Sequence, residues 1–316
     1  MIRTRIIGTG SYVPPDILTN DNLSEMVDTS DEWIRTRTGI CNRHIAKDMD
    51  NADMAYNAAR NAVEDARIEA SKIGLIIVAT STPDYAFPNQ ASLVQAKLKA
   101  VNAMCFDVSA ACSGFITALD IAASMLKAGS YKYALVIGSE KMSEIVNWKD
   151  RSVCVLFGDG AGAGALVGHE RGIIDSNIYN DGTGASVLTG GRRFSDSCST
   201  DIFIHMDGQE VFKFAVKSVP TAIETLLHNN NMDINEVDKF ILHQANVRII
   251  ESVAKRLKAD KDKFPVNLNE YGNTSSASIP ILLDELNRNG SLKQGEKLVL
   301  AGFGAGLSWG SILLVW

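Results

Sequence analysis

The chain has no cysteine pair at metal-binding or redox spacing. Its five cysteines, Cys41, Cys105, Cys112, Cys154 and Cys198, are odd in number and contain no C-x-x-C. That argues against a structural disulfide set or a zinc site, and no metal is expected; a reducing compartment fits. Basic charge is not in excess either. A net charge of −6 at pH 7 argues against general nucleic-acid binding. No apolar run approaches the roughly 20 residues that span a bilayer. The start, Met1-Ile2-Arg3-Thr4-Arg5-Ile6-Ile7-Gly8, runs into a strand without the long apolar stretch of a signal peptide. A cytoplasmic protein without membrane insertion or nucleic-acid partner is expected. Low-complexity segments are absent. The run Gly158-Asp159-Gly160-Ala161-Gly162-Ala163-Gly164 lacks the G-x-G-x-x-G order after a strand, with an acidic residue about 20 positions on, that a dinucleotide-binding dehydrogenase needs.

What is present suits two domains or one large α/β unit: 316 residues, 46% hydrophobic and 22% charged. Strand-like runs occur at Arg5–Gly8, Ile73–Ala79, Ala103–Val108, Tyr133–Gly138, Gly164–Val167, Lys239–Leu242, Phe264–Leu268, Lys297–Ala301 and Ser311–Val315. Helical periodicity fits Ala52–Ala66, Gln90–Leu98, Gly114–Ala128, Gly208–Asn229, Val247–Leu257 and Ala277–Asn287. Their alternation predicts an α/β architecture with buried sheets. The halves look alike. Ile73–Thr80 resembles Val237–Gln244, and each is followed by a helix, a strand, a small-residue turn and a second helix. Cys112 and Asn273 each stand 17 residues before a glycine, Gly129 and Gly290, so the two are expected to be twins at equivalent helix starts. A composition shift near Glu170–Gly172 divides the chain into halves 1–170 and 171–316.

Four places carry chemistry. Cys112 follows an apolar strand and small residues and opens a long amphipathic helix, where unpaired N–H groups and the helix dipole favour the nucleophilic thiolate. His243 lies between an apolar strand and a helix, where α/β folds build active sites. Asn273 sits among small residues in Tyr271–Ser278. The turn Gly302-Phe303-Gly304-Ala305-Gly306 lets backbone N–H groups approach a ligand closely. Taken singly, each also reads as a buried cysteine, a structural histidine, a cap and a packing turn.

Together they resemble the thiolase superfamily, and most closely the β-ketoacyl-acyl-carrier-protein synthase III family. The same resemblance runs through Gly8–Tyr12, Asp28–Ile34, Thr36–Ile40, Phe157–Ala163 and Trp309–Ser311, so it covers nearly the whole chain. Ser109 and Ser113 stand where some relatives have alanine. The resemblance implies two similar α/β halves layered α-β-α-β-α, and a homodimer. It implies a decarboxylating Claisen condensation of a short acyl-CoA, acetyl-CoA first, with malonyl-acyl-carrier protein, at the start of type II fatty acid synthesis. Cys112 would carry the acyl group, His243 and Asn273 would stabilise the enolate, and the N–H groups of Cys112 and Gly306 would form an oxyanion hole. Thr29, Trp33, Arg37 and Arg151 match contacts to the CoA nucleotide, and Phe212, Ala245 and Asn246 match the pantetheine channel. Phe87 matches a residue reaching the partner subunit's acyl pocket. Lys213 and Arg248 match contacts to acyl carrier protein; Lys255 and Arg256 are expected to join them, because with Arg248 they belong to a basic stretch, Arg248–Lys263, on an otherwise acidic chain that would steer an acidic carrier protein. No permanently bound cofactor is implied. The segment Gly182–Asp201 is less family-like, and it neighbours the acyl pocket.

Two readings compete. A papain-like protease also orders Cys, His and Asn, but its local cysteine signature is absent. A synthase of secondary metabolism using another acyl-CoA is the alternative within the superfamily.

Overall fold

Strands that are apolar at consecutive positions need cover on both faces, because successive side chains point to opposite sides. The computed structural model, which describes residues 3–191 and 201–316, supplies that cover in layers. Met1, Ile2, Arg192, Arg193 and Cys198 lie outside the described residues.

The first sheet holds β1 (Arg3–Tyr12), β2 (Leu75–Ala79), β3 (Met104–Val108), β4 (Tyr133–Glu140) and β5 (Gly160–His169), in the order β1-β5-β4-β2-β3. Its three inner-to-edge strands β4, β2 and β3 are parallel, and β5 and β1 are antiparallel. The second sheet holds β6 (Ile173–Asn180), β7 (Lys239–Leu242), β8 (Lys297–Gly304) and β9 (Ser308–Val315), in the order β7-β8-β9-β6. It repeats the pattern: β7 and β8 are parallel, and β9 and β6 follow antiparallel.

The longer helices are α1 (Asp31–Thr38), α2 (Asn51–Ala66), α3 (Gln90–Leu98), α4 (Gly114–Lys127), α5 (Gly208–Asn229), α6 (Val247–Leu257) and α7 (Ser278–Arg288). The pleat distributes them. In β2, Leu75, Ile77 and Ala79 face a core shared with Phe115 and Leu119 of α4 and Leu283 of α7. The alternate residues Ile76 and Val78 face Met54 and Ala58 of α2 and Val94 of α3. In β8, Leu298 and Leu300 join the same central core. Val299 and Ala301 face the other way, toward Ile223 of α5 and Val253 of α6. Five layers result, α-β-α-β-α, with α4 and α7 buried between the sheets.

Two expectations change. Phe264–Leu268 is not a strand: residues 264–267 are irregular and a short helix begins at Leu268. Pro265 has no N–H to give a sheet, so the second sheet stops at four described strands where the first has five. The twin of Cys112 is also not Asn273. Both central helices end on a left-handed glycine, Gly129 at φ 78° and Gly290 at φ 73°. But α4 has 14 residues and α7 has 11. Each is preceded by a 3-10 turn whose first residue has positive φ, Ala111 at 45° and Ser275 at 50°. Counting from the helix start, Cys112 matches Ser276. Asn273 lies three residues earlier, in the approach to the turn.

The two turns meet edge to edge under β4. A β-carbon on Gly138 would lie 2.3 Å from the Ser276 carbonyl oxygen, which is backbone and has nowhere to go. Gly138→Ala is therefore expected to cost roughly 1–3 kcal/mol. Equilibrium urea unfolding checks this, and an unchanged midpoint would contradict the contact.

Candidate active site

Cys112 is held by what passes over it. The end of β8 crosses the Ala111–Ser113 turn so closely that a β-carbon on Gly304 would lie 2.8 Å from the Cys112 nitrogen, and one on Gly302 would lie 3.3 Å from its carbonyl oxygen. Glycine at 304 is a steric requirement, and at 302 a side chain would be tight. The Ser113 hydroxyl reaches Ser308 Oγ at 2.7 Å, tying the turn to the β8–β9 hairpin. The Cys112 thiol is almost fully buried and donates to Ser275 Oγ at 3.5 Å.

Burial pushes that thiol up to about 12; the Ser275 hydroxyl pulls it down, and the Glu140 charge raises it again. The expectation that the helix start alone favours the thiolate therefore needs revision. Cys112 precedes the first residue of α4 by two positions, and loss of hydration outweighs what the turn's own N–H returns.

Asn273 is positioned by strand-like pairing with the other half. Its N–H donates to the Leu156 carbonyl at 2.8 Å, and its carbonyl accepts from the Gly158 N–H at 3.1 Å. Its side-chain Oδ1 accepts from the Ser275 N–H at 2.9 Å. The amide Nδ2 is thereby left as a donor directed away from that bond. His243 follows β7, with its N–H on the Ala301 carbonyl at 2.8 Å. Its ring stands edge-on to Phe303 at 5.2 Å, and Nδ1 lies 2.6 Å from Ser278 Oγ. Burial lowers the imidazole from 6.5 to about 3, so it is neutral at pH 7.

Cys112, His243, Asn273 and Gly306 all line one cavity of about 1230 Å³, larger than a drug-sized ligand needs. Trp33, Arg37, Phe212, Ala245, Asn246, Lys213 and Arg248 line the same cavity, and Arg37, Lys213 and Arg248 among them are exposed. Asn246 is also committed structurally: it caps α6 through the Arg248 N–H at 2.9 Å and donates to the Arg37 carbonyl at 3.1 Å. Arg37 and Arg151 each stand 5.0 Å from the Trp33 ring centroid. Arg151, Thr29, Phe87, Lys255 and Arg256 do not line the cavity. Arg151 donates to the Asp28 carbonyl at 2.7 Å, and the Thr29 hydroxyl has no hydrogen-bond partner among the described residues. Phe87 projects outward, 87% exposed. Lys255 and Arg256 are exposed on α6, and the Arg256 guanidinium turns to the Val216 carbonyl at 3.2 Å. Lys213 pairs with Glu210 at 2.7 Å.

Sequence reading missed Ser275 and Glu140. Ser275 looked like one of several small residues. Glu140 had a usable signal: a carboxylate directly after the apolar run of β4, where the same core reading demands a partner for a buried charge.

The neutral His243 has a consequence for stability. Its folded pKa lies below its unfolded value, so the unfolded chain alone takes up this proton as pH falls below about 6.5, and stability is lost. His243→Gln should make the pH dependence of the unfolding free energy shallower by about 1.4 kcal/mol per pH unit between about pH 4 and pH 6. Urea titrations of both proteins measure this, and equal slopes would refute the buried neutral imidazole.

Residues 106–182 match the family described as 3-oxoacyl-[acyl-carrier-protein (ACP)] synthase III, and residues 227–316 match its C-terminal counterpart. A β-ketoacyl-[acyl-carrier-protein] synthase III of Clostridium botulinum (strain 657 / Type Ba4) is 50% identical over 324 aligned positions, covering 100% of this chain and 99% of that protein. The relative of the same name from Clostridium acetobutylicum is 49% identical with the same coverage. The crystal structure of 3-oxoacyl-[acyl-carrier-protein] synthase III from Aquifex aeolicus VF5 superposes with a TM-score of 0.95 at 48% identity, over 99% of this chain and 100% of that one. With matched family segments in both halves and half the residues identical over its full length, the chain belongs to the β-ketoacyl-acyl-carrier-protein synthase III family of the thiolase-like fold.

Proposed function

We propose that this chain is an acyltransferase that condenses a short acyl-CoA, acetyl-CoA first among them, with malonyl-acyl-carrier protein through acyl-Cys112, releasing CoA and CO2 and giving β-ketoacyl-acyl-carrier protein. This is the initiating condensation of type II fatty acid synthesis. The observation that carries the reading is the meeting of Cys112, His243 and Asn273 in one cavity with an open mouth.

Each group's role follows from its chemistry. Cys112 Sγ attacks the thioester carbonyl, and the N–H groups of Cys112 and Gly306 receive the developing oxyanion. CoA departs, and the malonyl thioester takes its place. Asn273 offers Nδ2, because Ser275 holds the other end of its amide. His243 offers Nε2–H in the tautomer in which the Ser278 hydroxyl, which accepts from the Gln244 N–H at 3.3 Å, donates to Nδ1. A neutral imidazole suits this role, since it donates without having a proton to lose to the carboxylate of the incoming malonyl group. Loss of CO2 leaves an enolate whose oxygen is stabilised by both donors. Its carbon then attacks the acyl group on Cys112, forming the C–C bond as the S–C bond breaks, and the expelled Cys112 thiolate takes up a proton from solvent to restore the thiol. No step calls for a resident cofactor or metal.

The binding roles are part of the same reading. Trp33, Arg37, Arg151 and Thr29 hold the CoA nucleotide, with guanidinium planes and an indole face available for stacking. Phe212, Ala245 and Asn246 line the pantetheine path. Lys213, Arg248, Lys255 and Arg256 receive the acidic carrier protein at the mouth. The outer edge of β3 is unpaired among the described residues, and the apolar Val101, Met104 and Phe87 beside it are 74%, 49% and 87% exposed. A second copy covers this edge and brings its Phe87 to the acyl pocket. The halves 1–170 and 171–316 act as two units of one catalytic body. The four described cysteines are free, which suits the cytoplasm.

Two tests follow. Cys112→Ala abolishes acylation by acetyl-CoA, read by intact mass, and an acyl adduct on that variant would refute the nucleophile. Asn273→Ala lowers malonyl decarboxylation about 10²–10³-fold and leaves Cys112 acylation in place, so loss of acylation alone would contradict the division of roles.

A further inference from the structure

Glu140 ends β4 and is fully buried, with no cation paired to it among the described residues. Hydroxyls and a backbone N–H surround it instead. Oε1 accepts from Ser275 Oγ at 3.0 Å and Ser276 Oγ at 2.9 Å. Oε2 accepts from Thr82 Oγ1 at 2.7 Å, the Ser81 N–H at 2.9 Å and Thr80 Oγ1 at 3.3 Å. The Ser275 hydroxyl that donates to Glu140 also accepts from the Cys112 thiol. A continuous path therefore runs from Sγ through one hydroxyl to a carboxylate.

We propose that Glu140 is a positioning residue for acylation that, through Ser275, takes up the proton Cys112 gives up on attacking the acyl-CoA. This rests on Cys112 being the acyl acceptor. The step balances. The Sγ–H bond breaks as the S–C bond to the acyl carbon forms. The proton passes to Ser275 Oγ while Ser275's own proton passes to Glu140 Oε1. When the tetrahedral intermediate collapses, the proton returns through Ser275 to the departing CoA sulfur, and Glu140 is again a carboxylate.

Three observations favour this path. First, charge moves within the site and does not increase. Ionising Cys112 to bulk water would place a second negative charge beside Glu140, whereas transfer to Glu140 keeps the buried total at one. Second, the surroundings accommodate both protonation states. The single Ser276 hydroxyl proton has two acceptors, the Ala79 carbonyl at 2.8 Å and Glu140 Oε1. A protonated Glu140 donates to Ser276 Oγ and frees the serine for Ala79. Burial raises the Glu140 carboxyl above its ordinary value, which brings the protonated form within reach. Third, Ser275 is held at φ 50°, a conformation that side-chain-bearing residues seldom adopt. That backbone aims its N–H at Asn273 and its hydroxyl between Cys112 and Glu140.

The titratable groups facing this path are few. Cys112 comes from the turn before α4, Glu140 from β4, and His243, neutral and bonded to Ser278, from the end of β7. The Thr80–Thr82 segment and the Ser275–Ala277 turn present only hydroxyls and backbone.

The sign of one measurement decides the matter. A carboxylate that merely sits near the thiol opposes its ionisation, so Glu140→Gln would speed alkylation of Cys112. A relay predicts the opposite. The rate of Cys112 carbamidomethylation by iodoacetamide is measured across neutral pH on the full chain, with modified Cys112 located by peptide mass. Glu140→Gln and Ser275→Ala are each expected to slow it on the order of 10²-fold, and acetyl-CoA acylation equally. Faster or unchanged alkylation in Glu140→Gln overturns the relay. Should that variant fail to fold, Ser275→Ala decides alone, and an unslowed rate overturns it. If the unaltered protein is not acylated at Cys112 by acetyl-CoA, the proposed function fails; if it is acylated and the variants keep pace, only the relay fails.

Discussion

Burying two helix starts side by side between two sheets governs the rest of this structure. α4 and α7 are covered on both sides, so the turns that open them are buried as well, and their thiol and hydroxyl groups must satisfy one another or the strands above and below. β8 presses on the first turn and β4 on the second, and both contacts are close enough to demand glycine, at Gly304 in one case and Gly138 in the other. The chain has little freedom left at Cys112 or Ser275. Their placement results from layer packing, with the site as its consequence.

The same burial sets the electrostatics. At the floor of the cavity burial keeps the imidazole neutral and makes both the thiol and the Glu140 carboxyl resist ionisation. A floor of neutral donors suits a reaction whose charge builds on a thioester oxygen. Hydrogen bonds in such buried surroundings are stronger than in water. The mouth is different in kind. Arg37 and Arg248 are charged and exposed beside the half-buried Trp33, which fits an entrance that a charged substrate crosses.

The layered fold was legible because each buried strand is an unbroken apolar run and each helix carries its own period. Limits were local. Ile173–Asn180 was not seen as a strand: Asp175, Ser176 and Asn177 interrupt its apolar pattern, and their side chains are satisfied by contacts far along the chain, such as Asn177 with Ser311. Phe264–Leu268 looked like a strand by composition, and Pro265 overrode it. The internal repeat was real in topology, yet the matched spacing to Gly129 and Gly290 misaligned it by three residues, because helix length is invisible to a count between motifs.

The sequence by itself determined which residues to expect in one site: a cysteine, a histidine and an asparagine, each at a junction between regular elements, and a glycine turn near the end, all of which line one cavity. Order and residue type along the chain are enough for that, and enough to mark the family. Only the tertiary structure decided what holds them. Leu156 to Gly158 pair with Asn273, Ser278 fixes the histidine ring, and Ser275 joins the thiol to Glu140 from 135 positions away. Such partners are ordinary serines, backbone groups and one carboxylate, chosen by proximity in packed layers. Proximity between the halves arises when both sheets bury their inner faces on α4 and α7, and no local pattern in the chain encodes it.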